Sequence, residues 1–152
     1  MMVVNNPYYI GVKVPKQAVS AVKNIVSNGF YTKDEKEQLN DLKVLTDEIC
    51  KYYNINSPEI KLGDREVYYP DFQIIILSKA SSIISLLHEL RHHIQCQAGK
   101  QYRGHNIEED ARAWSLRVFK LACPDSFMKS VKAGRIRHIE WDGERVVNSR
   151  GY

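Results

Sequence analysis

The segment that most restricts this chain is His88-Glu89-Leu90-Arg91-His92, an H-E-x-x-H pattern set inside an apolar stripe of Ile83, Leu87, Leu90 and Ile94. That spacing predicts a helix, capped at Ser81 and ending near Gly99. Residues four apart on a helix stand one turn apart on nearly one face, so both imidazoles can reach a single ion. Glu89 can then stand beside a water at that ion. Zinc accepts imidazole nitrogen readily, and its catalytic sites typically take three protein ligands and leave one position open. A fold built on this helix must therefore bring a third donor from another element.

The next predicted helix supplies candidates. Asn106 is placed to cap it, Ile107, Ala111, Trp114, Val118 and Leu121 form its stripe, and Cys123-Pro124 breaks it. Three acids stand in its first turns. Glu109 falls at the third helical position, where a carboxylate can return to the cap's backbone N–H. Asp110 lies on the inward stripe, and a buried carboxylate needs a partner. The distal N–H of a ligating histidine would serve, which makes Asp110 the expected outer support of the site. Glu108 follows Ile107 as His88 follows Leu87, so packed stripes would put it opposite the histidines. A rival is His105, which precedes this helix in Gly104-His105.

These residues resemble a family. His88-Glu89-Leu90-Arg91-His92 followed by Glu108-Glu109-Asp110-Ala111-Arg112-Ala113-Trp114 is similar to the H-E-x-x-H plus E-x-x-A-x-x-[F/W] pairing of small gluzincin metallopeptidases, especially the ImmA/IrrE-like and phage-type group. The resemblance covers roughly Ile74 to Leu121. It implies a zincin-like fold, zinc held by His88, His92 and Glu108, and Glu89 as general base in hydrolysis of a peptide bond in a protein substrate. By analogy that substrate would be a regulatory protein such as a repressor. Arg91 departs from the family, which usually holds an uncharged residue there; pointing to solvent, it would leave the ligands untouched. Gly104-His105 is instead similar to the element that gives SprT-like, DNA-associated metalloproteases a third histidine. The cysteine-rich zinc ribbon common in that family is absent, and helix support favours Glu108. A non-catalytic metal-binding regulatory module is the reading from outside the enzymes. Candidates to stabilise an oxyanion are His105, His93 and Tyr102.

At 152 residues, 43% hydrophobic and 26% charged, the chain suits one soluble globular domain. Its longest apolar runs, such as Ile74 to Leu77, have four residues, against ~20 for a bilayer crossing, so no membrane partner is expected. The amino terminus lacks a basic segment followed by an apolar core, and Cys50, Cys96 and Cys123 are odd in number and widely spaced. Both features lead us to expect a cytoplasmic protein. Cys96, one turn beyond His92, reads as a small packing residue rather than a nucleophile. From Lys129 onward six Lys or Arg residues face three acids and supply most of the net charge of +4. A nucleic-acid partner is conceivable for such a tail, but the interspersed acids favour a solvated face. No nucleotide-binding glycine loop occurs, and the P-C-x-x-C that zinc deaminases need is absent.

The remaining elements give an α+β class. Pro15 opens a first helix with Ala18, Val19, Val22, Ile25 and Val26 on one face, stopped by Asn28-Gly29. Thr32 and Glu35 form a capping box for a second, with Leu39, Leu42, Leu45, Ile49 and Tyr52 as its stripe, reaching about Tyr53. Three short strands follow, around Ile60 to Leu62, Val67 to Tyr69 and Ile74 to Leu77, the last apolar enough to be covered on both faces. After the motif helix and the glutamate helix, Asp142-Gly143 between alternating segments predicts a carboxy-terminal hairpin. One domain over 1–152 is expected, divided into a helical part (1–55), a zinc-site core (56–122) and a basic tail (123–152).

Overall fold

The structure is a computed structural model that describes residues 13–97, 105–136, 139–141 and 146–149. Pro15 stands as N-cap of α1 (Lys16–Ser27), which turns Ala18, Ala21, Val22 and Ile25 inward. Gly29, at φ 84°, makes a left-handed turn into a short 3-10 turn at Phe30–Thr32. Thr32 is spent inside that turn, its hydroxyl donating to the Gly29 carbonyl at 2.9 Å. The cap of α2 (Glu35–Tyr53) is therefore Asp34, whose carboxylate accepts the Glu37 N–H at 2.9 Å, and the expected capping box does not form. Leu42, Leu45 and Ile49 are buried as the stripe predicts, whereas Tyr52 turns out to solvent.

Strands β1 (Glu59–Leu62), β2 (Val67–Tyr69) and β3 (Ile74–Leu77) make one sheet in the order β1-β3-β2. β1 runs parallel to β3 with Glu59 opposite Ile74, and β2 runs antiparallel with Tyr68 opposite Ile75. Ile75 and Leu77 are fully buried while Ile74 and Ile76 are only partly so. The central strand is thus closed on one face rather than both, with α3 packed against β2 and β3.

α3 (Ile83–Gln97) is capped one residue later than expected, by Ser82, whose Oγ accepts the Ser85 N–H at 3.3 Å. Its four stripe residues are all buried, and Gly99, the expected stop, lies outside the described residues. α4 (His105–Ala122) begins before Asn106, so Asn106 is not its cap and Glu109 is past the third position. Along it Ala111, Trp114 and Val118 are buried, but Leu121 is half-exposed. Cys123 and Pro124 do break this helix, and a further one, α5 (Pro124–Lys132), starts at once. Proline at the first position, Asp125 early, Lys129 and Lys132 late, and Phe127 and Val131 one turn apart account for it. β4 (Ile139–Trp141) and β5 (Val146–Ser149) pair antiparallel as the hairpin reading requires, with the Asp142-Gly143 connection outside the described residues.

One apolar cluster runs through α1, α2, the sheet, α3, α4 and α5, including Val22, Leu45, Ile75, Leu87, Trp114 and Phe127. α4 packs along α3 and also touches α1, which fixes the surface that carries the acids against the helix that carries the histidines. Among the described residues no helix is long and apolar enough to cross a membrane.

Candidate metal centre

The helical period brings His88 and His92 together, ring centroids 5.0 Å apart and nearly perpendicular. Glu108 reaches both from α4, with Oε2 at 3.2 Å from His88 Nε2 and Oε1 at 2.8 Å from His92 Nε2. The three donor atoms lie within 4.8 Å of one another, a group able to hold a metal ion. Burial sharpens the set: the histidine side chains are 20% and 14% exposed and Glu108 is 49% exposed, so the cluster is walled on the helix side and open on the other.

The charges suit metal ligation. Burial, with His92 beside it, lowers the His88 imidazolium pKa to about 4, so the ring is neutral and keeps a lone pair at neutral pH. Burial works against ionisation of Glu108, but His88 and His92 outweigh it and hold its carboxyl below the usual carboxylate range. Glu89 is buried, and burial pushes its carboxyl up to about 7, with Glu108 and Glu66 adding and His92 opposing. A carboxyl so poised exchanges a proton near neutrality.

His92 is oriented by a chain of hydrogen bonds that sequence reading did not find. Gln95 is 4% exposed, and its Nε2 lies 3.0 Å from the Ile107 carbonyl and 2.8 Å from Asp110 Oδ2. Both partners accept, so the amide nitrogen must face them and Oε1 must face His92 Nδ1, at 2.9 Å. His92 therefore donates from Nδ1 and presents the Nε2 lone pair to the site. The spacing of Gln95 three residues past His92 was the available signal, but only the packing of α4 gives that glutamine its other partners.

Asp110 is thus not the direct acceptor of a histidine N–H, as expected, but stands one residue further out. It binds Arg91 in bidentate fashion, Nε at 2.6 Å and Nη2 at 3.2 Å, as well as Gln95. Arg91 does not point to solvent: its side chain is 13% exposed and its guanidinium lies 5.3 Å from the centre of the Trp114 ring. The departure from the family pattern is a tether between α3 and α4.

His93 leaves the set of oxyanion candidates. It is fully buried, Nε2 donating to the Asn56 carbonyl at 2.7 Å and Nδ1 accepting from the Tyr68 hydroxyl at 2.7 Å. Burial holds its pKa below the ordinary histidine value, while the Asn56 carbonyl opposes. It latches α3 to β2 and to the segment before β1. His105 opens α4, but its side chain, like Tyr102, lies outside the described residues. Cys96 is exposed rather than packed as its reading as a small packing residue requires, and Cys50 and Cys123 are buried, all as free thiols.

Beside His88 and Glu89 a cleft of about 710 Å³ runs between the start of α3 and the middle of α4. Ile83, Leu116 and Phe119 line it with buried apolar surface, and Ser130, Arg135 and Ile136 also border it. Comparison with protein-family models, with curated proteins and with solved structures returns no match to this chain.

Proposed function

We propose that the protein is a zinc metallopeptidase that hydrolyses peptide bonds in a protein or peptide substrate. The observation that carries this reading is the convergence of His88 Nε2, His92 Nε2 and a Glu108 oxygen beside a buried carboxyl, Glu89, that lines a cleft. A donor set of two imidazoles and one carboxylate fits zinc, and the neutral His88, the fixed His92 tautomer and the ionised Glu108 are the states that ligation requires. When bound, zinc supplies Lewis acidity toward the scissile carbonyl and a lowered pKa for water.

The chain's own residues do the rest. His88, His92 and Glu108 hold the ion, and Gln95 keeps the His92 lone pair aimed at it. Glu89 takes a proton from the attacking water on its carboxylate and returns it to the leaving amine nitrogen as the C–N bond breaks. The cleft receives substrate and limits water around Glu89. A zincin-like fold of the gluzincin type and a cytoplasmic setting, which the free thiols favour, belong to the same proposal. A purely structural metal tie has no use for a buried base at an open position, and Glu89 therefore favours the enzyme over the non-catalytic module.

Glu89→Gln tests the reading. It should retain about one zinc per chain by elemental analysis and lose cleavage of unfolded protein substrate by about 10²-fold or more. Unchanged cleavage, or protein that takes up no zinc, would refute it.

A further inference from the structure

We propose that the cleft beside Glu89 binds a carboxylate of the substrate close to the bond cleaved, an inference that rests on the metallopeptidase reading. The inner wall of the cleft is apolar, but its rim is cationic. Lys79 stands before α3 and Arg135 after α5, while Arg112 sits on α4 one turn beyond Glu108. Neither Lys79 nor Arg135 has a carboxylate partner among the described residues, and both side chains are exposed. Among the described residues the lining carries two acids, Glu66 and Glu89, against three cations, Lys79, Arg112 and Arg135, and Glu66 accepts from the Ser78 hydroxyl without losing its charge. The lining therefore has an excess of cations over acids, and its two exposed cations, Lys79 and Arg135, are the ones open to a substrate carboxylate.

Distance sets which part of a substrate would meet them. Ser82, in the lining three residues after Lys79, precedes Glu89 by seven residues, about 10 Å along the helix direction at 1.5 Å per residue. An extended peptide advances about 3.3 Å per residue, and an acidic side chain adds several ångströms of reach. A carboxylate one or two residues from the scissile bond then arrives at the rim while its aliphatic part crosses the apolar wall. An aspartate or glutamate side chain satisfies this, and so does a free carboxyl terminus. An opposing lysine would meet like charge.

Binding tests this without turnover. Four fluorescein-labelled peptides are titrated by anisotropy into the Glu89→Gln protein, which does not turn them over: amidated decapeptides with a central Glu-Glu, Gln-Gln or Lys-Lys, and a Gln-Gln peptide ending just after the pair with a free carboxylate. The Glu-Glu peptide should bind about tenfold tighter than Gln-Gln, with Lys-Lys weakest, and the gap should shrink in 0.5 M salt. Tighter binding of the truncated peptide would assign the carboxylate to a chain terminus instead of a side chain. The double substitution K79E/R135E should abolish the preference for Glu-Glu, and the neutral single variants K79Q and R135Q should each reduce it if the double variant does not fold. Equal binding of the amidated peptides and the truncated one, or a preference that survives in the variants, would overturn the proposal. The two readings separate: acid-selective binding with cleavage indifferent to Glu89 would retain the cleft and remove the peptidase, whereas Glu89-dependent cleavage with no preference would do the opposite.

Discussion

The substitution Gln95→Leu removes the part that joins His92 to α4 while keeping the side chain's approximate size. Three hydrogen bonds disappear together, to His92 Nδ1, to the Ile107 carbonyl and to Asp110 Oδ2. Two consequences differ in size and in readout. The His92 ring loses the acceptor that fixes its tautomer, and the loss of such an outer partner typically lowers metal affinity 10- to 100-fold, or about 1.4–2.7 kcal/mol. The fold also suffers, because at 4% exposure Gln95 leaves its former partners in a site that water scarcely reaches. A buried group left without its partner costs about 1–3 kcal/mol, but Asp110 retains both Arg91 contacts, so a total near 2 kcal/mol is expected. For a chain of this length that lowers Tm by about 4–8 °C. Zinc affinity is measured by competition with a chromophoric chelator, on protein whose circular dichroism matches the parent. Zinc binding within twofold of the parent, in a variant that is destabilised as expected, would refute the argument that Gln95 orients His92.

Three further outcomes follow from the same geometry. Glu108→Ala should abolish stoichiometric zinc uptake while His105→Ala leaves it intact, and the reverse result in elemental analysis would transfer the third ligand to His105 and favour the SprT-like reading. Asp110→Ala should cost about 3–5 kcal/mol in urea unfolding because Arg91, 13% exposed, is left without its carboxylate, whereas the pair R91M/D110L should cost much less; equal losses would show that the ion pair is not what joins the helices. In metal-stripped protein Glu89 carries a pH signature. Its folded pKa is raised from 4.5 to about 7 by burial, so the folded state holds more protons than the unfolded between those values and this group's contribution falls as pH rises through that window. Glu89→Gln should therefore be more stable than the parent by about 1–3 kcal/mol at pH 7.5 and nearly equal to it at pH 4.5, and a difference that does not vary with pH would refute it.

The elements most legible in the sequence are those whose signal is local. The stripe Ile83, Leu87, Leu90 and Ile94 is buried in full, and the three strands fall where turn residues interrupt short apolar runs. Caps are harder to read, since Thr32, Ser81 and Asn106 each sit one or two residues from the position claimed by the Asp34 carboxylate, the Ser82 hydroxyl or an earlier helix start. α5 shows a different failure. Its proline, its charges and its i, i+4 pair are all readable, yet a helix that begins directly after another one's break is easily taken for the end of that break.

Within the site, spacing alone determines that His88 and His92 share a face, and stripe logic carries Glu108 to them. What spacing cannot supply is the relation between two helices, because it depends on how side chains from both interlock. Arg91 illustrates the consequence. Inside H-E-x-x-H a charge looks like a departure, and from one helix alone solvent is its natural destination. Asp110 changes that destination: two residues after Glu108, it fixes Arg91 against Trp114, while Arg91 immediately precedes His92. The ion pair therefore holds the residue next to one ligand against the residue two beyond another, and sliding either helix by a turn would break it and separate Glu108 from the histidines. The residue that departs from the expected pattern is thus one of the contacts that hold the register of the candidate site.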